Sequence, residues 1–296
     1  MATILDGKAC AEDIYENDLK PRIAKLKNFD VVPGLAIISF GETSGQVYVK
    51  NKIKTCEKLG IYCEHHEFDF TDGTDIQEDV CDLIDRLNEC SSIHGIIVQL
   101  PIPDEFYVDA GDIIERIDPA KDVDGLTQYN VGRLWTHHDG YPYHYPCTPK
   151  GIMRLLEHYD IPVEGKNVTI VGRSDLVGKP LAAMMLEENA TVTVCHSHSG
   201  LSEPFYYADI VVSAVGDPFA IPYGCLDYGV SYDAIIDVGI NRVDGKLCGD
   251  IKEDVKEEFA KTYTPVPGGV GPMTVAMLMD NVVRAAENAW ILKAVI

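Results

Sequence analysis

The fold of this chain is decided by Asn167-Val168-Thr169-Ile170-Val171-Gly172-Arg173-Ser174-Asp175-Leu176-Val177-Gly178-Lys179-Pro180. The first five residues are mostly β-branched or apolar and predict a buried strand. A turn follows that opens on Gly172 and closes on Gly178, and residues 181–189 then have helix-forming composition. Doubly wound α/β sheets build phosphate sites in this way, because the helix start presents free N–H groups and the positive end of its dipole.

The glycine spacing in this turn departs from the dinucleotide-binding fingerprint. Gly172 and Gly178 stand six residues apart, with Arg173 and Ser174 where a middle glycine is expected. Taken alone, the turn is read equally well as a phosphate site or as a tight strand-to-helix connection.

The next predicted strand, residues 191–194, indicates which cofactor the turn would hold. An NAD site places an Asp or Glu after this strand to bind the ribose hydroxyls, but residues 195–199 contain no acid. Arg173 and Ser197 offer a guanidinium and a hydroxyl instead, which suit a 2′-phosphate. The pattern therefore favours NADP over NAD, and the alternative is a solvated turn with a surface arginine.

Composition excludes several classes of protein. A chain of 296 residues with 46% hydrophobic content can form two compact domains or one large one, and a net charge of -22 argues against binding to nucleic acid or anionic membranes. Nine scattered cysteines without a Cys-x-x-Cys pair favour free thiols in a reducing compartment, and the histidines lack metal-ligand spacing. No signal peptide or membrane span is evident, so we expect a cytoplasmic protein without a structural metal.

Strands alternate with helices along the chain, which predicts parallel sheets and an α/β fold. Residues 104–146 show little periodicity and are predicted to be irregular, while residues 264–272 are rich in Pro and Gly and predict a loop. The predicted strands are 35–40, 61–70, 95–100, 167–171, 191–194, 210–215 and 234–238. The predicted helices are 8–27 with a kink at Pro21, 46–59, 75–88, 149–158, 181–189, 252–259 and 273–292.

Four residues of the N-terminal half are candidates for chemistry. Tyr48 and Lys52 are four apart on a predicted helix and so share a face, which makes Lys52 a candidate proton-transfer group. Gln99, near a strand end, can orient that lysine, and Asp124 can accept hydrogen bonds from a heterocycle with paired N–H donors. The alternative readings are a solvated lysine-rich helix with Tyr48 in the core, a solvated glutamine and a turn-forming aspartate.

The Tyr-x-x-x-Lys pattern also occurs in short-chain dehydrogenases. In that family the glycine turn precedes the Tyr-Lys pair, whereas here it follows, so we reject that assignment.

Taken together and in this order, six motifs resemble the bifunctional methylenetetrahydrofolate dehydrogenase/methenyltetrahydrofolate cyclohydrolase family over nearly the whole chain. The motifs are Tyr48-Val49-Lys50-Asn51-Lys52, Val98-Gln99-Leu100-Pro101-Ile102-Pro103, Lys121-Asp122-Val123-Asp124-Gly125-Leu126, Pro146-Cys147-Thr148-Pro149-Lys150-Gly151, Val171-Gly172-Arg173-Ser174 with Val177-Gly178-Lys179-Pro180, and Pro265-Val266-Pro267-Gly268-Gly269-Val270-Gly271-Pro272-Met273-Thr274.

The resemblance implies two domains with an active-site cleft between them. Residues 1–147, completed by a C-terminal helix 273–296, would form the N-terminal α/β folate-binding catalytic domain, and residues 148–272 the Rossmann-like NADP-binding domain. The family also suggests a homodimer.

The resemblance further assigns roles to individual residues. Lys52 would be the catalytic lysine, Tyr48 would stack on the folate, Gln99 would keep Lys52 usefully neutral, and Asp124 would grip the pterin. The folate side would also be lined by Val98, Leu100, Gly271 and Pro272. The cofactor would contact Gly172, Arg173, Ser174, Ser197 and Ile240.

Two positions depart from the family pattern, and one alternative function stays open. Gly45 stands where a serine is common, with Ser44 one residue earlier, and Asp175 adds a negative charge to the cofactor turn. The alternative function is a catalytically silent NADP- or folate-binding protein on the same scaffold, although such a protein has no need of Lys52.

Overall fold

The computed structural model describes residues 2–41, 46–69, 76–136 and 144–295, with side chains through 292. The chain forms two compact units. The three-stranded unit comprises Ile14–Cys147 and Leu278–Ile296, and the six-stranded unit comprises Met1–Asp13 and Thr148–Met277. Residues 44 and 45, where the sequence departs from the family pattern, lie outside the described residues.

The helices and strands follow one another along the chain in this order: β1 (Thr3–Ile4), α1 (Gly7–Ile14), a π-helical turn (Tyr15–Leu19), α2 (Lys20–Lys27), β2 (Gly34–Phe40), α3 (Gln46–Leu59), β3 (Tyr62–Phe68), α4 (Ile76–Glu89), β4 (Gly95–Val98), a 3₁₀ turn (Asp104–Phe106), α5 (Ala110–Glu115), α6 (Gln128–Thr136), α7 (Cys147–His158), β5 (Asn167–Val171), α8 (Gly178–Glu187), β6 (Thr191–Cys195), α9 (Ser202–Tyr207), β7 (Ile210–Ser213), a 3₁₀ turn (Tyr223–Cys225), β8 (Tyr232–Asp237), β9 (Asn241–Val243), β10 (Lys246–Cys248), α10 (Glu253–Phe259), β11 (Ala260–Tyr263) and α11 (Val270–Val295).

The three-stranded unit has a parallel sheet in the order β3-β2-β4. Every residue of β2 is buried, because β2 pairs on both sides and packs against helices, which explains why its sequence is apolar except for Ser39. One face of α4 buries apolar residues at helical spacing against this sheet: Ile76, Val80, Leu83, Ile84 and Leu87. Gly60 directly follows the end of helix α3, and its φ of +73° is a left-handed conformation that suits glycine.

The six-stranded unit has a parallel sheet in the order β1-β11-β8-β7-β5-β6. The carboxyl ends of β5, β6, β7 and β8 therefore lie at one edge, where open α/β sheets bind ligands. The prediction that strands alternating with helices pair in parallel is confirmed in both units.

The N-terminal residues lie in the six-stranded unit. Residues 1–13 cluster with that unit, since β1 pairs with β11 in register Thr3 to Thr262. A two-residue strand carries no periodic pattern, so local spacing does not predict this pairing. The domain bounds 1–147 and 148–272 stay a prediction.

Three further local predictions differ from the structure. Residues 104–146 contain α5 and α6, which are too short to show an apolar stripe. A hairpin of β9 and β10 was missed, although its turn is Asp244-Gly245, with φ of +49° and +78°, a strong hairpin signal. The break expected at Pro21 is a π-helical turn that ends just before it.

The expectation of free thiols is confirmed, since all nine cysteines are unpaired with one another. Within the described residues, no helix has both the length and the apolar character that are needed to cross a bilayer.

Candidate active site

Lys52 and Gln99 meet in the three-stranded unit. Lys52 projects from α3, and Gln99 follows β4, where its backbone N–H donates to Ile38 O at 2.8 Å. The Lys52 Nζ donates to Gln99 Oε1 at 3.0 Å. The Gln99 Nε2 donates to Leu100 O at 2.8 Å, so the amide oxygen is turned toward the lysine. Gln99 is therefore a hydrogen-bond partner of Lys52.

Lys52 differs from the other lysines of helix α3 in its burial. Lys50, Lys54 and Lys58 are exposed, whereas Lys52 is half-buried and held by Gln99. Tyr48 lies one turn earlier on the helix and keeps 40% of its surface exposed, so it is not the core residue of the alternative reading. A half-exposed aromatic ring one turn from an amine offers a flat face to a planar ligand.

Asp124 lies in a loop that is organised by Asp122, a residue that sequence reasoning did not single out. The Asp122 side chain is 1% exposed. Its carboxylate accepts hydrogen bonds at 2.8–3.2 Å from Gly125 N, Leu126 N, Thr127 N, Thr127 Oγ1 and Asn130 Nδ2. The only sequence signal for this role was an aspartate three residues before a glycine, which is typical of a side-chain-capped turn.

Residues outside this loop also hold its backbone in place. Gly125 has a φ of +71°, and a Cβ there would lie 2.6 Å from His144 O, so only glycine fits. The Asn281 Nδ2 donates to Val123 O at 2.8 Å and to Tyr145 O at 2.9 Å. The backbone on both sides of Asp124 is thereby fixed.

Burial raises the pKa of Asp124, while the positive charge of Lys52 and the thiol of Cys147 oppose the rise, and the charge of Asp122 adds to it. The charges of Lys52 and Asp124 therefore interact. A carboxylate in a fixed loop beside an amine is suited to bind a polar heterocycle near a proton-transfer group.

Val98 and Leu100, predicted to line the folate site, flank Gln99 at the end of β4. Val98 is 4% exposed and belongs to the apolar core of its unit, whereas Leu100 is half-buried. Leu100 supplies the carbonyl that orients Gln99.

In the six-stranded unit, the turn between β5 and α8 requires both of its glycines. Gly172 has a φ of +128°, and a Cβ there would lie 2.3 Å from Ala214 O. A Cβ at Gly178 would lie 2.2 Å from Gly172 O. The turn is therefore tightly closed, and α8 begins at Gly178, three residues earlier than predicted. The first N–H groups of α8 are hydrogen-bonded within the turn, since Gly178 N donates to Ser174 Oγ at 3.4 Å and Lys179 N donates to Ser174 O at 3.1 Å.

Polar groups surround this turn on the exposed side. Arg173 and Ser174 are exposed, and Ser174 Oγ accepts from Val177 N at 3.2 Å. The Gly172 N–H donates to Cys195 O at 2.9 Å, which places the turn beside the end of β6. The exposed Ser197 follows that end, so the two predicted 2′-phosphate contacts belong to adjacent strand ends.

The added charge of Asp175 is neutralised within the turn. Its carboxylate is 2.5 Å from Lys179 Nζ and its side chain is 84% exposed. The added negative charge of Asp175 therefore has a counter-charge within the turn.

Ile240 and Gly271 come together at the same edge of the six-stranded unit. Ile240 follows β8 and is 42% exposed, and a Cβ at Gly271 would lie 3.5 Å from Ile240 Cδ1. Gly271 and Pro272 were predicted to lie in a loop, but α11 begins at Val270, and they form its first turn. Proline fits there because the first helical N–H groups have no partner within the helix.

Within the described part of the chain, no group of His, Cys, Asp and Glu side chains is arranged to hold a metal ion. The candidate site comprises Lys52, its amide partner Gln99 and the carboxylate of Asp124.

Comparison with known proteins decides the family. Residues 5–124 match the model of the tetrahydrofolate dehydrogenase/cyclohydrolase catalytic domain, and residues 146–290 match the model of its NAD(P)-binding domain. The chain belongs to the tetrahydrofolate dehydrogenase/cyclohydrolase family. The first match includes the amine site at Lys52, and the second includes the glycine turn at Gly172.

Relatives of known sequence and structure agree with this family assignment. The bifunctional protein FolD of Magnetococcus marinus is 45% identical over 293 residues, which is 98% of this chain and 99% of the relative. The crystal structure of the FolD dehydrogenase/cyclohydrolase of Campylobacter jejuni is 40% identical, with a TM-score of 0.90 over 97% of this chain and 99% of that one. The Trypanosoma brucei FolD, solved with NADP cofactor and an inhibitor, is 35% identical with a TM-score of 0.88, over 98% of both chains.

The resemblance noted from six sequence motifs is thus confirmed at the level of the family. The two-domain α/β fold, with a catalytic and an NAD(P)-binding domain, is confirmed as well.

Proposed function

We propose that this chain is a bifunctional one-carbon folate enzyme. It oxidises 5,10-methylenetetrahydrofolate with NADP to 5,10-methenyltetrahydrofolate, and it hydrolyses that product to 10-formyltetrahydrofolate. The observation that carries the proposal is the hydrogen bond between Lys52 and Gln99 at 3.0 Å, in a chain that belongs to the tetrahydrofolate dehydrogenase/cyclohydrolase family.

The first reaction moves one hydrogen nucleus together with two electrons, as a hydride, and releases no separate proton. A hydride leaves the methylene carbon between N5 and N10, and the remaining carbon becomes the methenyl cation. When bound, NADP supplies the acceptor for this hydride. The protein contributes mainly position, since direct transfer requires the two reacting carbons in contact and the rings aligned.

The second reaction adds water to the cation. A bond forms between the water oxygen and the methenyl carbon, and the bond from that carbon to N5 breaks. Of the two water protons, one is taken up by N5 and the other is released. Lys52 assists this proton movement. The Gln99 oxygen accepts an N–H from an ammonium or a neutral amine alike, whereas a carboxylate in its place would favour the charged form.

In our proposal the folate is held by residues of the three-stranded unit. Tyr48 stacks on the ring system, and the Asp124 carboxylate accepts hydrogen bonds from the paired N–H groups of the pterin. Leu100 and the end of β4 at Val98 support Gln99. Gly271 and Pro272 are further proposed folate contacts.

The six-stranded unit fits NADP. Helix α8 begins at Gly178, directly after the glycine turn, and the positive end of its dipole favours a pyrophosphate there. Arg173, Ser174 and Ser197 supply polar groups for the 2′-phosphate and pyrophosphate, and Ile240 supplies an apolar contact for the nicotinamide. The solved Trypanosoma brucei relative holds NADP, which supports this choice of cofactor.

A spectrophotometric assay of the purified chain with methylenetetrahydrofolate and NADP tests the function. We expect NADPH to form, and we expect added methenyltetrahydrofolate to be hydrolysed without NADP. A chain that binds both ligands and turns over neither would instead be the silent binding protein.

We also propose that the enzyme is a cytoplasmic homodimer. Nine free thiols favour a reducing compartment, and the dimer rests on the resemblance to the family. Light scattering of the eluting protein would give the mass of the assembly, and the mass of a single chain would contradict the dimer.

A further inference from the structure

Asp250 is a fully buried carboxylate that none of the proposed catalytic or binding roles uses. It follows β10, and its side chain is 0% exposed. A buried charge is costly unless hydrogen bonds satisfy it, so the groups that face Asp250 indicate what it does.

Five donor groups converge on the Asp250 carboxylate. Oδ2 accepts from Ser213 Oγ at 2.9 Å and from Val215 N at 2.8 Å. Gly216 N reaches both oxygens, at 3.1 and 3.3 Å. Oδ1 also accepts from Asp217 N at 3.2 Å and from Asn241 Nδ2 at 3.0 Å. Successive backbone N–H groups that point at one anion form a nest, here filled by the protein's own carboxylate.

These donors belong to the two turns that follow β7 and β8. Ser213 ends β7, and residues 215–217 form the turn after it, while Asn241 follows Ile240 in the segment after β8. The second turn also packs on the carboxylate directly, because a Cβ at Gly239 would lie 1.9 Å from Asp250 Oδ1. Asp250 is therefore the common anchor of both turns.

The glycine turn after β5 contacts the end of β7, and Asp250 therefore affects it as well. The Gly172 backbone lies against Ala214 O so closely that a Cβ would be 2.3 Å away. A shift of the β7 turn would consequently move the surface on which Gly172 rests. Three neighbouring strand ends, those of β5, β7 and β8, thus depend on one carboxylate.

Asp250 is itself held in place by a second buried acid. Asp237 Oδ1 accepts from Asp250 N at 3.0 Å, and Asp237 Oδ2 accepts from Ile251 N at 3.1 Å. Lys256, which is also fully buried, is 3.2 Å from Asp237 and balances its charge. The orientation of Asp250 is therefore set by the hydrogen bond from its backbone N–H to Asp237 as well as by the five donors to its carboxylate.

We propose that Asp250 is a positioning residue for the dehydrogenase reaction, whose carboxylate holds the turns after β7 and β8 in the form that receives NADP. This inference rests on the proposed function, since it takes the carboxyl edge of the six-stranded sheet as the cofactor site. It assigns no role to Asp250 in hydrolysis of the methenyl substrate, which does not need NADP.

The variant Asp250→Asn tests the proposal, because an amide keeps the shape but turns an NH₂ group toward donors. We expect the KM for NADP to rise about tenfold or more, while hydrolysis of methenyltetrahydrofolate without NADP stays within about twofold of the parent rate. The matched control is Asp233→Asn. Asp233 lies at the opposite end of β8 and pairs with Lys166 and Lys261 at 2.7 Å, so its loss should leave both activities within about twofold.

An unchanged KM for NADP in Asp250→Asn, or an equal fall of both activities, would overturn the proposal, since a merely structural role affects both reactions alike. If Asp250→Asn is insoluble, Asn241→Ala removes one donor only and should raise the KM for NADP about threefold. An unchanged KM in that variant would overturn the proposal as well.

A failure of the proposed function would be recognised separately, because the parent protein would then lack both activities. In that event calorimetric titration of NADP into the parent and Asp250→Asn proteins still tests the inference. Equal affinities would refute it.

Discussion

Replacing Lys52 by methionine separates catalysis from folding. Methionine keeps a straight side chain of similar length and removes only the amine. In the structure the amine makes one described hydrogen bond, to Gln99 at 3.0 Å, from a half-buried position. Its loss should cost about 1 kcal/mol, because water can replace the amine at the Gln99 oxygen. The midpoint of thermal unfolding should therefore fall by only about 2–4 °C.

The effect on hydrolysis should be far larger than the effect on stability. A positioned acid or base contributes roughly 10²- to 10⁴-fold to such a step, so the rate of methenyltetrahydrofolate hydrolysis should drop by about a hundredfold or more. The absorbance of the methenyl compound follows the reaction directly. Methenyltetrahydrofolate should also accumulate when the variant oxidises methylenetetrahydrofolate.

Lys54→Met is the matched control, because Lys54 lies on the same helix and is exposed. It should hydrolyse at the parent rate. Full hydrolysis by Lys52→Met, or equal losses in both variants, would remove Lys52 from the mechanism.

Three further perturbations test the remaining roles. Arg173→Ala should raise the KM for NADP roughly tenfold or more, by loss of a charged hydrogen bond, and change the KM for NAD little; equal effects in steady-state kinetics would count against a 2′-phosphate contact. Burial raises the pKa of Asp124, so its carboxylate is protonated at a higher pH than that of a free aspartate. The KM for the folate should therefore rise on acidification in the parent protein but not in Asp124→Asn. A KM that is as independent of pH in the parent as in the variant would refute this prediction. Gly172→Ala should unfold at lower temperature than the parent and bind NADP weakly, because its Cβ would meet Ala214 O at 2.3 Å, whereas Gly224→Ala, with open space around it, should match the parent in both measurements.

Strong periodic patterns were sufficient to predict most of the sheet. The apolar run of β2 and the alternation of strands with helices indicated parallel pairing, which the structure confirms. The same patterns failed for short elements. Helices α5 and α6 are too short for a visible stripe, and β1 is identified only by the strand that it pairs with, β11.

The candidate chemistry divides in the same way. The sequence by itself determined the residue types and their order. These are a lysine one turn after a tyrosine, a glutamine at a strand end, an aspartate in a turn, and a glycine turn whose next strand is not followed by an Asp or Glu. These features depend on local spacing, and local spacing can be read from a chain.

Only the tertiary structure decided which of these residues touch and which buried groups hold them. Lys52 and Gln99 are 47 residues apart, and no local pattern predicts their hydrogen bond. Asp250 looks like an ordinary polar residue in the sequence, but it is buried among donors from residues 213–217 and from Asn241. A carboxylate acquires such a role from the N–H groups that folding brings around it, because its own sequence neighbours supply only part of them.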